Sequence, residues 1–159
     1  MRDEITYVFL KELLNTYPNN VSNIKSSYLE LLKELTSAEQ IDNLLFLENI
    51  NRICKMGTII IGYIGNPENS TIQIVASGTI IIEPKIIWSG RNVGHIEDIV
   101  VKNTFRRKGI SQIILNKLKN IAISNNCYKV ILNCTEEVKK VYIKNGFGVK
   151  GLQMSQYFI

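Results

Sequence analysis

Histidine occurs once in this sequence, at His95. A histidine-built metal site is therefore not expected, and no bound metal is. Cysteine is nearly as scarce: Cys54, Cys127 and Cys134 make an odd number with no C-x-x-C pair. That excludes a disulfide framework and fits reduced thiols in a cytoplasmic protein. Long apolar runs are missing too. None approaches the roughly 18 residues that a membrane span requires. The opening segment, MRDEITYVFLKELL, lacks a signal-peptide pattern.

What is present is ordinary for a globule. Apolar residues make up 45% of the 159 and charged residues 21%. One domain over residues 1–159 is the expectation, with enough chain for a real core. The net charge is +5. Such an excess serves solubility by default, or else matches an anionic ligand: nucleic acid or a phosphorylated small molecule. Basic residues are scattered apart from 106–108 and form no stripe interleaved with aromatics, so a nucleic-acid partner is not expected.

Periodicity orders the elements. Residues 4–17 mix a strand-like ITYVF with a helix-like LKELLN, then break at Tyr17-Pro18-Asn19-Asn20. Ile24, Tyr28, Leu31, Leu32 and Leu35 have helical spacing. Thr36 and Ser37, three residues before Glu39 and Gln40, predict a capping box for a second helix through Ile53. Residues 58–64 and 71–82 read as an antiparallel hairpin turning at Asn66-Pro67-Glu68-Asn69. Strands are predicted over 95–101 and 128–134, and helices over 110–125 and 136–145, the last stopped by Gly146. A final strand is predicted from Phe147, with 152–158 as its end or its partner. This is an α+β order: early helices, a hairpin, then β-α-β-α-β.

The stretch GHIEDIVVKNTFRRKGISQ, residues 94–112, carries the chemistry. Ile96, Ile99, Val100 and Val101 suit a buried strand, yet Glu97 and Asp98 interrupt them. Carboxylates in such a strand are costly unless they serve something. On a regular strand these neighbours face opposite ways, so at most one faces any given site. Arg106, Arg107 and Lys108 follow, and Gly109 lets backbone approach a ligand. Ile110 then opens an amphipathic helix. Strand, basic turn and helix N-terminus together suit phosphate, because free N–H groups and the helix dipole point at the anion.

Arg106-x-x-Gly109-x-Ser111 resembles the acetyl-CoA loop, Q/R-x-x-G-x-G/A, of the GNAT acyltransferase superfamily, with Ser111 departing from the small last residue. GHIEDIVV, CYKVILNC at 127–134 and Tyr142 before Gly146-Phe147 extend the likeness to the eukaryotic-type glucosamine-6-phosphate N-acetyltransferase family. It covers roughly 78–154 well and the first third poorly. The resemblance implies the GNAT fold, a mixed central sheet flanked by helices in a three-layer arrangement. It also implies direct transfer from acetyl-CoA to an amino sugar phosphate, glucosamine 6-phosphate, on the way to UDP-N-acetylglucosamine, by a homodimer sharing C-terminal elements. The apolar tail LQMSQYFI suits such burial.

Residue by residue, the resemblance implies that Arg106, Arg107, Lys108, Gly109, Ile110, Ser111 and Gln112 hold the cofactor phosphates. Ile99, Val100 and Val101 would pair with its pantetheine arm. Glu97 is implied as a base; a paired structural carboxylate is the plainer alternative. Tyr142 is implied as the acid that protonates the departing thiolate; a core aromatic is the alternative. Asn133 stands where relatives often have Asp, and cannot act as a base. Val138 replaces a cofactor-facing Asn. Thr36, Lys85, Ile86, Ile87, Trp88, Glu97, Asp98, Tyr128 and Lys129 match the sugar-phosphate pocket. Tyr157 falls where relatives carry an arginine, leaving Lys85, Arg91 and Lys129 as phosphate partners. Cys127 and Cys134 read as small core residues. Transfer to another amine (another amino sugar, a polyamine or a protein N-terminus) and a non-catalytic CoA-binding module are the alternative functions.

Overall fold

The structure is a computed structural model that describes residues 4–158. Residues 1–3, the start of the segment read for a signal peptide, and residue 159, the last of the apolar tail, lie outside that range.

The ambiguous N-terminal segment is both elements in succession: β1 (Thr6–Phe9), then α1 (Leu10–Thr16), which buries Leu10, Leu13 and Leu14. After a 3-10 turn at Pro18–Asn20 comes α2 (Val21–Leu32), burying Ile24, Tyr28 and Leu31. α3 spans Asn43–Ile53. The predicted capping box is not used. Asp42 is the N-cap, its Oδ1 accepting from the Leu45 N–H at 2.8 Å. Asp42 stands one residue before the helix, where a carboxylate can satisfy an orphan N–H, so Thr36 and Ser37 remain in the connecting loop.

β2 (Gly57–Ile64) and β3 (Gln73–Pro84) form the expected antiparallel hairpin. A single turn α4 (Ile87–Gly90), left-handed at Trp88 and Ser89, leads into β4 (Asn92–Val101). A 3-10 turn at Asn103–Phe105 precedes α5 (Ile110–Ser124); β5 (Cys127–Ile131) and α6 (Glu136–Lys144) follow. The five-stranded sheet has the order β1-β2-β3-β4-β5, antiparallel except for the parallel β4–β5 pair. It is the mixed sheet expected, with helices on both faces.

Alternation divides the core. Ile59 and Ile61 pack with α1, α2 and α3, while Ile60 between them packs with α5. On the α5 side Ile114, Leu115 and Leu118 are fully buried. Each such side chain stabilises by about 1.5–3 kcal/mol, so truncating Leu118 would cost about 2–5 kcal/mol.

No strand forms after α6 among the described residues, which overturns the strand predicted from Phe147 onward. A strand needs a neighbouring edge to satisfy its backbone, and the tail of a single copy lies away from one: Leu152, Met154, Tyr157 and Phe158 are 80–95% exposed. Cys127 is buried in the α5 cluster as expected. Cys134 is exposed on the loop after β5, so its reading as a core residue is corrected.

Candidate active site

The site begins with an irregularity in β4. Ser77 pairs with Val100 and Thr79 with Glu97, so Asp98 and Ile99 together oppose Gly78. Asp98 takes the left-handed conformation at φ 52°, one that Asp tolerates better than most residues. The extra residue resets the alternation. Ile96 packs against α5, yet Val100, four residues on, packs with α2.

The expectation that Glu97 and Asp98 face opposite ways is therefore corrected. Glu97 lies opposite Thr79, whose side chain reaches the Tyr28 hydroxyl on α2. Directly opposed residues share a face. Asp98 lies near the same hydroxyl, and its charge helps raise the Tyr28 pKa; burial is the larger cause, and the value reaches about 12. Both carboxylates thus serve the α2 face. Both residues are exposed, but the protein packed around the Asp98 carboxyl desolvates it and raises its pKa. Sequence reasoning missed Tyr28, also joined to Ser77 Oγ at 3.4 Å; a tyrosine at core spacing carries no mark of a polar role.

Beyond the bulge the sheet opens. β4 pairs with β5 only over Asn92–His95, while β4 continues to Val101. Among the described residues the β5 side of Ile96–Val101 has no strand partner, so backbone groups there can meet an extended ligand. Asn133 and Cys134 follow the end of β5, and α6 supplies Tyr142. Tyr142 is half-buried, edge-on to Phe147 at 5.9 Å and 82°. Burial raises its pKa, and the Cys134 thiol nearby adds to the rise. Val138 is exposed on the same helix.

Past Val101 lies the basic turn. Arg107 and Gly109 are left-handed, at φ 60° and 76°. A Cβ built on Gly109 would meet nothing within 4 Å, so the space above the turn is open. The first helical bond of α5 runs from Ile113 N–H to Gly109 O at 3.2 Å. This leaves the N–H groups of Ile110, Ser111 and Gln112 without intrahelical partners. Ser111 is half-buried and Gln112 exposed. Open space, free N–H groups and cations fit a phosphate-bearing ligand.

The cations differ in their engagement. Arg106 is tied down: Nε donates to Val101 O at 2.9 Å and Nη2 to Glu34 Oε2 at 3.1 Å. Lys108 lies over the Phe105 ring at 4.9 Å and donates weakly to Thr104 O at 3.4 Å. Arg107 makes no ion pair among the described residues and is exposed.

The remaining pocket candidates separate into two groups. Thr36 lies in the loop after α2, two residues past Glu34, at the bulge end of the sheet. Lys85, Ile86, Ile87, Trp88, Arg91, Tyr128 and Lys129 lie at the other end, where β4 and β5 begin. At about 3.3 Å per residue, Asn92 is about 20 Å along β4 from Asp98. Trp88 stacks on Tyr128 at 5.0 Å, and Lys129 lies over the same ring at 5.5 Å. Lys85 is held by Glu83, whose other oxygen meets His95 Nε2 at 2.6 Å; these contacts, Lys85 first, lower the Glu83 pKa. Arg91 donates to Cys127 O at 3.3 Å. Tyr157 is exposed on the tail. One copy of the chain therefore does not bring this group to the carboxylates.

Known proteins share this fold and much of this sequence. Residues 25–147 match the family model described as the acetyltransferase (GNAT) family. The chain is 36% identical over 140 residues to glucosamine 6-phosphate N-acetyltransferase 1 of Dictyostelium discoideum, covering 88% of each protein. It is 34% identical over 148 residues to the glucosamine 6-phosphate N-acetyltransferase of Candida albicans, covering 93% of each. The crystal structure of the Arabidopsis thaliana glucosamine-6-phosphate N-acetyltransferase superposes with a TM-score of 0.82 at 29% identity, covering 99% of this chain and 100% of that one.

Proposed function

The chain belongs to the acetyltransferase (GNAT) family, and from that premise we propose that it acetylates the amine of D-glucosamine 6-phosphate with acetyl-CoA, giving N-acetyl-D-glucosamine 6-phosphate. The observation that carries the reading is the β4 bulge. It turns Glu97 and Asp98 to one face beside a strand edge unpaired among the described residues, which leads into the open basic turn before α5. The choice of amine rests on the relatives, whose names specify glucosamine 6-phosphate.

Acetyl-CoA supplies the acetyl group as a thioester. The turn at residues 106–112, with Arg106 braced inside it, holds its phosphates, and an N–H of Ile99–Val101 donates to the carbonyl oxygen as negative charge builds there. Glu97 takes the amine proton, directly or through water, because only a neutral amine attacks. Burial raises the Asp98 pKa and so disfavours a second negative charge beside Glu97. As the N–C bond forms and the C–S bond breaks, Tyr142 gives its proton to the departing sulfur; its raised pKa keeps that proton in place at neutral pH. Asn133 serves by hydrogen bonding and not as a base.

The working form is a homodimer. The tail leaves large apolar side chains in water, which a second copy would cover. A two-fold partner also offers a route to unite the pocket residues that one copy keeps apart. A second reading, the same transfer to another amine, is favoured by Tyr157 in place of an arginine.

The test is thiol release from acetyl-CoA across a panel containing glucosamine 6-phosphate, glucosamine and a polyamine. Glucosamine 6-phosphate should give the highest kcat/KM. Turnover with another amine and none with glucosamine 6-phosphate would move the assignment to the second reading; no turnover with any amine would leave a CoA-binding module.

A further inference from the structure

The basic turn is braced from outside itself. Glu34 stands just past the end of α2, where Glu34 N–H still bonds Leu31 O at 3.0 Å. Its Oε2 accepts from the Asn103 N–H at 2.7 Å and from Arg106 Nη2 at 3.1 Å. Arg106 Nε meanwhile donates to Val101 O at 2.9 Å. One carboxylate oxygen and one guanidinium thus join three points: the loop after α2, the end of β4, and the turn before α5. Charge-assisted bonds of this kind are the stronger ones, and the planar guanidinium fixes their directions.

We infer that Glu34 is a positioning residue for the phosphate-binding turn. It holds Arg106 as a strut and leaves Arg107, Lys108 and the α5 N-terminus to meet the phosphates. The inference rests on the proposed placement of acetyl-CoA at this turn. A carboxylate beside a polyanion site should weaken binding by repulsion. If charge were its only role, removing it would tighten CoA binding; if it sets the geometry of the turn, removing it loosens binding.

The experiment measures CoA dissociation constants by calorimetry for wild type, Glu34→Ala and Glu34→Gln, with melting temperatures alongside. Turnover is measured in parallel with acetyl-CoA and with S-acetylpantetheine, which lacks the phosphates. Glu34→Ala should raise the CoA Kd roughly tenfold, the scale of one or two lost charged hydrogen bonds. Its kcat/KM with S-acetylpantetheine should stay near wild type, which a general folding defect would not allow. Glu34→Gln keeps an accepting oxygen and should recover most of the affinity. A tighter or unchanged Kd in Glu34→Ala, or an equal loss with both acetyl donors, overturns the inference. An Arg107→Glu/Lys108→Glu variant guards the premise: if it binds CoA as wild type does, the placement of the phosphates is at fault, and not the role of Glu34.

Discussion

Replacing Tyr142 with phenylalanine separates the acid from the core aromatic. The ring stays, and with it the edge contact to Phe147 at 5.9 Å. The backbone bond from Phe147 N–H to Tyr142 O, at 3.1 Å, is untouched. The hydroxyl makes no hydrogen bond among the described residues, so its loss should cost about 1 kcal/mol of stability or less. The catalytic cost is set by different physics. A positioned acid accelerates by about 10²–10⁴-fold, equivalent to about 3–5 kcal/mol of barrier. Tyr142→Phe should therefore lower kcat by about a hundredfold or more, leave the acetyl-CoA dissociation constant within about threefold, and shift the melting temperature by a few degrees at most. Because burial raises the tyrosine pKa above 10.0, its proton remains throughout pH 6–9, and deprotonation of Tyr142 should produce no falling limb in that range. The assay is steady-state thiol release with glucosamine 6-phosphate, plus thermal melts. Equal kcat values for the two proteins would refute the acid role, and a large fall in melting temperature with a matching fall in kcat would return Tyr142 to the core.

Gly109→Ala should cost about 1–2 kcal/mol of stability from the left-handed backbone alone, since open space surrounds the new methyl. It should weaken CoA more than tenfold if the phosphates approach this backbone; an unchanged dissociation constant would say that they do not. For Asp98, the folded pKa is raised, so the folded chain binds the extra proton and stability falls as pH rises from the unfolded value through the folded one. Asp98→Asn, which tolerates the same positive φ, should melt higher than wild type at pH 7, with the gain shrinking toward pH 3; a gain that grows toward acid would contradict the desolvation argument. Deleting residues 152–159 should convert a dimer of 18.1 kDa chains into a monomer of the shortened chain in sedimentation, while a dimer in both cases would dissociate the tail from assembly.

The sequence by itself determined the elements whose side-chain period is long and unbroken. α5 is legible from Ile110, Ile114 and Leu118, and the β2–β3 hairpin from its two apolar runs and the Pro67 turn. The turn at 106–109 is legible as well, because left-handed glycine and clustered cations are local properties. Tertiary structure decided whatever depended on distant partners. Alternation predicted Glu97 and Asp98 on opposite faces; the bulge facing Gly78 put both on the α2 side, and a bulge arises from register with another strand. Arg106 reads in the sequence only as a member of the basic turn; the fold alone brings Glu34, 72 residues earlier, against it. The tail has the composition of a strand but, among the described residues, pairs with none of its own sheet's free edges, and a strand exists only where something answers its hydrogen bonds.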